Sequence, residues 1–368
     1  MNDVQDFAYW MALSHLPNWR TEKVNQLIVE ILHNQEITFA EFFNLSAEQW
    51  KKAYRLNDKE TTDLISARSE LASYSFVAES LLEQGFSLIP INSDEYSKTL
   101  KDNLKTKQAP PLLYVKGNKK ILNEPSVAVV GSRNASEISL EFTRNIAQKC
   151  AHDYRAVVSG FAKGVDKLAL DASIEFNGHS IIVLPQGILT FSSGFKKYYQ
   201  QIVAGDVLVV STFHPKAPWS VGLAMNRNIY IYGLAKEIYV AESDSKGGTW
   251  AGVMDGLKKR RKIYVRKPES DEKNANNLLI LKGAIPVNMN GDQIEINDED
   301  NLRIQLTELL SSGYLTTDEI KDKLQLDIEP KELGYFLSGL DFIEPMKINS
   351  KKFFRLKELS SDQTELFQ

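Results

Sequence analysis

Two short segments combine glycine with hydroxyl and cationic side chains, a combination that binds phosphate groups. The first is GSRN at residues 131–134, and the second is SGFAKG at residues 159–164. Backbone N–H groups of a glycine turn can hydrogen-bond phosphate oxygens, while Arg133 and Lys163 add positive charge. The sequence therefore predicts two phosphate-binding turns.

Both segments lie between an apolar run and a helical pattern. The runs at 127–130 and 156–159 are typical of strands buried on both faces of a parallel sheet. A helical pattern follows each turn, and Ser132 or Ser136 is the candidate cap of the first helix. Because the carboxyl ends of parallel strands meet at one edge of a sheet, we expect both turns at a single site.

Length and composition predict a cytoplasmic protein of two or three domains. The chain has 368 residues, 43% of them hydrophobic, and a formal net charge of −4. It contains no apolar stretch approaching about 18 residues, so no membrane segment is expected. One segment, KKRRKIYVRK at 258–267, contains a cluster of cations and no acid. This run is either a solvated helix end before a strand or an extension of an electrostatic groove.

Catalytic and metal-binding patterns are not found in the sequence. None of the five histidines has a second ligand at metal-site spacing, and the single cysteine, Cys150, is predicted to be buried. No G-x-S-x-G nucleophile turn occurs. We therefore expect neither catalytic residues nor a metal nor a cofactor.

Pattern changes divide the chain into four parts. We predict a helical, SAM-like module at 1–85, a Rossmann-like α/β core at 86–290, an acidic linker at 291–300, and a winged-helix-like module and tail at 301–368. The core is predicted to be a doubly wound parallel sheet because strands and helices alternate. Its predicted strands are 87–89, 112–115, 127–130, 156–159, 181–185, 207–211, 238–241 and 263–265.

The C-terminal module is predicted from three helices and a hairpin. Helices are expected at 302–310, after an N-cap at Thr317, and at 330–340, with strands at 342–348 and 352–356. The cations of the predicted wing are Lys347, Lys351, Lys352 and Arg355. The third helix carries little positive charge, so the pattern favours contact with protein over contact with DNA.

Several motifs in order resemble one family over most of the chain. They include VAVVGSRNAS, VVSGFAKGVD, IIVLPQGI, MNRNIYIYGLAKEIYVAES, SKGGTWAG and NNLLILKGAIPV. The order resembles the DNA-processing protein A family, DprA, also called Smf. The resemblance implies a Rossmann-like, non-catalytic protein that binds single-stranded DNA, forms a homodimer and loads the RecA recombinase during DNA uptake.

The resemblance also implies a set of DNA-binding residues. Matched by motif, they are Gly131, Ser132, Arg133, Ser159, Gly160, Phe161, Lys163, Gly164, Arg227, Asn228, Lys246, Gly247, Gly248 and Thr249. Cations would neutralise phosphates and glycine amides would hydrogen-bond their oxygens, giving sequence-independent binding. Phe161 either stacks on a base or packs in the core.

Departures from the family pattern leave two other interpretations open. Leu170, Thr212 and Ile229 replace a usual His, Glu and Arg, although Arg266 and Lys267 lie at a nearby strand end. The site could instead bind a free nucleotide, as a sensor or a nucleoside-phosphate hydrolase using Glu242. Alternatively, the protein is an adaptor with a vestigial pocket.

Overall fold

The computed structural model describes residues 4–269, 272–295, 298–326 and 329–357. The N-terminal module is helical, as predicted. Three of its helices begin with a capping box, at Thr38, Ser46 and Asn57, in which an acid or amide three residues later returns a hydrogen bond. Its helices are α1 (Val4–Ser14), α2 (Thr21–Val29), α3 (Phe39–Asn44), α4 (Ala47–Tyr54), α5 (Asp58–Ser69) and α6 (Leu71–Glu83).

A nine-stranded sheet forms the centre of the described part of the chain, in the order β1-β2-β6-β5-β4-β3-β7-β8-β9. Strands β3 to β9 are parallel, and β1 and β2 add an antiparallel edge. The strands are β1 (Ser87–Pro90), β2 (Leu112–Gly117), β3 (Ser126–Val130), β4 (Ala156–Ser159), β5 (Ser180–Val183), β6 (Val207–Ser211), β7 (Glu237–Val240), β8 (Lys262–Arg266) and β9 (Ile285–Val287).

Helices cover both faces of this sheet, so its central strands are buried throughout. The prediction of a parallel α/β core is confirmed for β3 to β9, while the antiparallel pairing of β1 and β2 was not predicted. Each predicted strand is present within one or two residues. The helices are α7 (Lys98–Gln108), α8 (Glu137–His152), α9 (Val165–Glu175), α10 (Ser192–Lys197), α11 (Tyr199–Ala204), α12 (Val221–Leu234), α13 (Gly248–Lys258) and α14 (Asn276–Leu281).

A partly buried contact joins the helical module to the sheet. His15, just after α1, lies 2.8 Å through its Nε2 from the hydroxyl of Tyr114 on β2. Burial, followed by the charge of nearby His214, lowers the pKa of His15 from 6.5 to about 3. His15 is therefore neutral at physiological pH and acts as a structural hydrogen-bonding group.

The C-terminal region contains α15 (Asp298–Leu310), α16 (Thr317–Leu324), α17 (Pro330–Gly339), β10 (Ile343–Ile348) and β11 (Lys351–Leu356). The predicted N-cap at Thr317 is wrong by one residue. Thr316 is extended, its hydroxyl accepts from the Glu319 amide at 3.3 Å, and the Glu319 carboxylate accepts from the Thr316 amide at 2.8 Å. Three helices and a hairpin are present, and their assignment as a winged helix stays a prediction.

Candidate functional site

A cavity of about 390 Å³ opens where the strand order reverses direction. Strand β4, the next strand along the chain, pairs with one edge of β3, whereas β7 pairs with the other edge. Four segments line the cavity: residues 130–134 at the end of β3, Ala162 and Asp166 after β4, residues 244 and 246–249 after β7, and one face of α12. Ligands of doubly wound sheets bind at such a switch point, so topology and cavity coincide.

The first glycine turn forms one wall of the cavity, and its backbone is fixed on two sides. A Cβ at Gly131 would lie 2.6 Å from Cγ2 of Val165, so only glycine allows this approach. The Ser132 amide donates to the backbone oxygen of Glu242 at 2.9 Å. Arg133 lines the cavity with an exposed side chain. A rigid backbone therefore presents a solvent-accessible cation.

The segment after β7 brings a helix N-terminus to the opposite wall. Gly247 has φ of +95°, which only glycine adopts readily, and it offers no side chain to cap α13, which begins at Gly248. The Thr249 hydroxyl donates to the Gly131 backbone oxygen at 3.1 Å and joins the two walls. With exposed Lys246 beside it, this helix end is suited to an anion.

The second glycine turn, residues 159–164, is largely part of the scaffold. Ser159 is fully buried, and its hydroxyl donates to the Val129 backbone oxygen at 2.7 Å. The ring of Phe161 makes edge contacts with Phe191 and Tyr198, with centroid distances of 5.2 and 5.7 Å. These contacts support the core-packing interpretation of Phe161 over base stacking.

Both glycines of the second turn permit close contacts inside the protein. A Cβ at Gly160 would overlap the guanidinium of Arg227. Gly164 has φ of +84°, and a Cβ there would lie 2.5 Å from the backbone oxygen of Ser132. Lys163 is exposed but does not line the cavity. Ala162 is thus the residue of this turn that lines the cavity, while its two glycines allow the turn to pack closely against Arg227 and the first turn.

Asp166 and Arg227 form the floor of the cavity. Arg227 is only 4% exposed, and its Nη1 donates to the backbone oxygens of Gly160 and Val183, the latter at 2.8 Å. The amides of Gly131 and Gly160 lie close enough to Asp166 to lower the pKa of its carboxyl. Both amides therefore have a protein carboxylate nearby, and their binding to phosphate stays a prediction.

Burial shifts the pKa of both groups on the floor. It raises the pKa of the Asp166 carboxyl, which Arg227 and then the two glycine amides counteract. It lowers the pKa of the Arg227 guanidinium, which the charge of Asp166 counteracts. Each group therefore favours the charged form of the other at a place shielded from water. Sequence reasoning missed Asp166 as a site residue, since it reads as an ordinary acid in a first helical turn.

The Glu242 carboxylate is engaged outside the cavity, at the N-terminus of α8. It accepts from the Ser136 amide at 2.9 Å, the Ser136 hydroxyl at 2.6 Å and the Ser139 hydroxyl at 2.8 Å. Ser136, one of the two predicted candidates, is the N-cap residue of α8, although its side chain makes no cap hydrogen bond. This placement removes the geometric support for Glu242 as an acid-base catalyst.

Two cations of the basic run at 258–267 are engaged within the fold. Arg266 is 1% exposed, donates to the Ser139 hydroxyl at 2.8 Å and pairs with Glu272. Arg261 donates to the backbone oxygen of Tyr232 at 2.9 Å. Arg266 therefore does not replace the cation that the family pattern has at the cavity.

The cavity collects nine of the predicted site residues. They are Gly131, Ser132, Arg133, Arg227, Asn228, Lys246, Gly247, Gly248 and Thr249. Those that do not line it are Ser159, Gly160, Phe161, Lys163 and Gly164. Sequence reasoning missed the acidic Asp244 and the exposed apolar Val221 and Met225, which also line it.

Other chemistry was sought in the described residues. No group of three or more His, Cys, Asp or Glu side chains could hold a metal ion within them. Over the same part of the chain, no helix is both long and apolar enough to cross a bilayer. Cys150 is buried as predicted, and burial raises the pKa of its thiol to about 12.

Known proteins share both the sequence and the fold. The DNA processing protein DprA of Streptococcus pneumoniae is 32% identical over 157 residues, covering 42% of this chain and 55% of that protein. Protein Smf of Synechocystis is 24% identical over 318 residues, covering 78% and 76%. The chain thus matches about half the length of the first of these relatives.

The crystal structure of Streptococcus pneumoniae DprA superposes with a TM-score of 0.62 at 24% identity, covering 78% of this chain and 95% of that one, and shows a shared fold. Residues 87–297 match the family described as DNA recombination-mediator protein A, which is more than half of the chain. The chain therefore belongs to the DNA recombination-mediator protein A family, the DprA/Smf proteins.

Proposed function

We propose that this protein binds single-stranded DNA through its phosphate backbone, in the cavity between the turns after β3 and β7. The observation that carries the proposal is the convergence of exposed Arg133 and Lys246 with the N-terminus of α13 around one open cavity. Cations and helix amides are the groups that bind phosphate oxygens. Family membership supports DNA as the source of that phosphate.

Binding is expected to be largely independent of base sequence. The groups at the cavity mouth are point charges, hydroxyls and backbone amides, which contact phosphate without reading base edges. Asp244 also lines the cavity and would repel a phosphate placed next to it. The strand is therefore expected to follow the side carrying Arg133 and Lys246.

The test is titration of a fluorescent oligo-thymidine strand into the purified protein at several salt concentrations. Affinity should fall steeply with salt, because each neutralised phosphate of a single strand contributes a slope of about 0.7. Arg133→Ala and Lys246→Ala should each weaken binding about tenfold, since a charge-assisted hydrogen bond is worth roughly 1.5–3 kcal/mol. Lys52→Ala on α4 is the matched charge control.

The opposite result is equally well defined. Affinity that ignores salt and both cavity substitutions, Arg133→Ala and Lys246→Ala, would rule out backbone binding at this cavity. Stabilisation by free nucleotides in a thermal-shift titration, without binding of the oligonucleotide, would favour the nucleotide-sensor interpretation.

We further propose that the protein is a non-enzymatic cytoplasmic homodimer that loads a RecA-type recombinase onto the bound strand. The family's designation as a recombination mediator supports this role. The expected result is faster DNA-dependent ATP hydrolysis by a RecA-type recombinase on strands precoated with single-strand-binding protein. Multi-angle light scattering should give twice the chain mass of 41.6 kDa. A monomeric mass would contradict the homodimer, and unchanged ATP hydrolysis would contradict the loading of the recombinase.

A further inference from the structure

A buried polar cluster holds the carboxyl end of β7, directly before the segment that forms one wall of the cavity. Its members are Arg266 at the end of β8, Glu272, and Asn276 at the start of α14. Arg266 is 1% exposed and Asn276 is fully buried. We call these three residues the β7 clamp. None of the three lines the cavity, so the clamp can act on a ligand only through the residues that it holds.

Asn276 uses its whole side-chain amide on the backbone around this strand end. Its Nδ2 donates to the backbone oxygens of Ala241 at 3.0 Å and Arg266 at 2.9 Å, and its Oδ1 accepts from the Ser243 amide at 3.0 Å. Ser243 is followed directly by residues 244–249, the wall of the cavity that leads into α13. Asn276 therefore fixes the point at which this wall begins.

Arg266 and Glu272 connect the same strand end to α8. Arg266 donates through Nε to the Ala241 backbone oxygen at 3.1 Å and through Nη2 to the Ser139 hydroxyl at 2.8 Å. Its guanidinium also forms a two-bond fork with the Glu272 carboxylate, in which the Nη1 bond measures 2.7 Å. Burial of an ion pair offsets much of its attraction, whereas a fork fixes the relative position of its partners. The pair therefore contributes less to net stability than to local geometry.

We propose that Arg266, Glu272 and Asn276 are positioning residues for DNA binding, which hold residues 244–249 where Lys246 and the amides of α13 meet a phosphate. The proposal rests on the proposed function. The clamp's hydrogen bonds end at the backbone immediately before this wall, and the exposed side chain of Lys246 lies three residues beyond Ser243. A shift of the strand end would therefore move this cation relative to the cavity.

The wall that carries Arg133 has an anchor of its own. The Val165 amide at the start of α9 donates to the Ser132 backbone oxygen at 3.3 Å. This contact does not involve the clamp. Loosening the clamp should therefore remove the contribution of Lys246 to binding and leave the contribution of Arg133.

The test opens the clamp with Glu272→Gln, which keeps the side-chain shape and removes the charge that pairs with Arg266. Glu237→Gln is the matched control, because Glu237 lies at the other end of β7 and forms a partly buried pair with Arg155. Asn276→Ser removes the three amide hydrogen bonds without a change of charge, and it replaces Glu272→Gln if that variant does not fold. Thermal melts give a temperature at which all variants are folded.

A nitroxide spin label at Ser245→Cys measures the mobility of the wall without DNA. Ser245 is exposed, whereas the single native thiol, Cys150, is buried and should not react with the label. Both clamp variants should narrow the spectrum of this label, because the wall gains freedom. A label at Asn134→Cys in the first turn should keep its wild-type spectrum, and Glu237→Gln should change neither label.

Binding of oligo-thymidine then tests the effect on function by double-mutant cycles. Glu272→Gln should weaken binding by up to about tenfold, the contribution expected of Lys246. Loss of a negative charge alone would strengthen DNA binding, so weaker binding cannot be a charge effect. The further loss should be less than about twofold in the Lys246→Ala background and undiminished in the Arg133→Ala background. Glu237→Gln should bind as wild type.

Three results would overturn the positioning role and leave the proposed function intact. They are wild-type label spectra in both clamp variants, losses that multiply equally with Lys246→Ala and Arg133→Ala, and an equal loss in Glu237→Gln. Failure of the wild-type protein to bind the strand would instead contradict the proposed function. The label spectra would then still decide whether the clamp holds the wall.

Discussion

The two glycine turns have similar sequences, similar positions after parallel strands, and different roles. The turn after β3 presents Arg133 to an open cavity. The turn after β4 buries Ser159 and packs Phe161 against aromatic rings. A glycine turn with a hydroxyl and a cation is therefore not by itself a phosphate site, because its surroundings decide whether its donors reach solvent.

The difference comes from what lies under each turn. The sheet reverses order beside β3, so the first turn faces the gap between β3 and β7. The second turn lies over Arg227, whose guanidinium donates to the Gly160 backbone oxygen. Asp166 lies near an amide of each turn, and both amides lower the pKa of its carboxyl. The first turn thus belongs to the site, whereas the second turn contributes Ala162 to the lining and is otherwise part of the support.

The largest effect is expected from removing Asp166, the carboxylate that lies near both turns. Asp166→Ala leaves the buried Arg227 guanidinium without the carboxylate that compensates its charge. We expect a loss of about 3–5 kcal/mol in the free energy of unfolding, measured by urea titration. Asp171→Ala on the same helix removes two half-buried ion pairs, with Lys167 and Lys197, and serves as control. A loss no larger than the control's would contradict the shared floor.

Alanine substitutions at two glycines test whether the second turn supports the first. Gly164 and Gly247 both have positive φ, at +84° and +95°, so alanine strains either position by roughly 1–3 kcal/mol. At Gly164 the new Cβ would also clash with the first turn, because it would lie 2.5 Å from the Ser132 backbone oxygen. A new Cβ at Gly247 would have no other atom within 4 Å. Gly164→Ala should therefore destabilise the protein by about 2 kcal/mol more than Gly247→Ala. Equal unfolding midpoints would show that the turns do not depend on this contact.

The two exposed cations test the comparison in binding. Arg133 lines the cavity and Lys163 does not, so Arg133→Ala should weaken oligo-thymidine binding about tenfold and Lys163→Ala only about twofold. Fluorescence anisotropy at one fixed salt concentration measures both. Equal losses would mean that the strand also crosses the second turn, as the family resemblance implies.

Eight strands of the sheet could be predicted from the sequence because they are short apolar runs, such as 127–130, which is followed by glycine. Sequence reasoning missed β9, a three-residue strand containing Pro286, since so short a segment carries little periodic signal. At the site, spacing predicted that residues after β3 and β7 would converge. It could not predict that Glu242 and Arg266 would be engaged elsewhere, because those contacts join residues distant along the chain.

The smallest predicted effect is a pH dependence that links the first turn to the floor. Burial raises the pKa of Asp166 above its ordinary value of 3.8, so the folded protein binds this proton at a pH where the unfolded chain has released it. Stability contributed by Asp166 must therefore increase as pH falls toward the unfolded pKa. The free energy of unfolding of the wild type minus that of Asp166→Asn should therefore increase as the pH is lowered from about 7 to about 4. Arg133 lowers the pKa of Asp166, so Arg133→Ala should move this rise to higher pH. An unchanged profile would mean that the exposed cation and the floor are electrostatically independent.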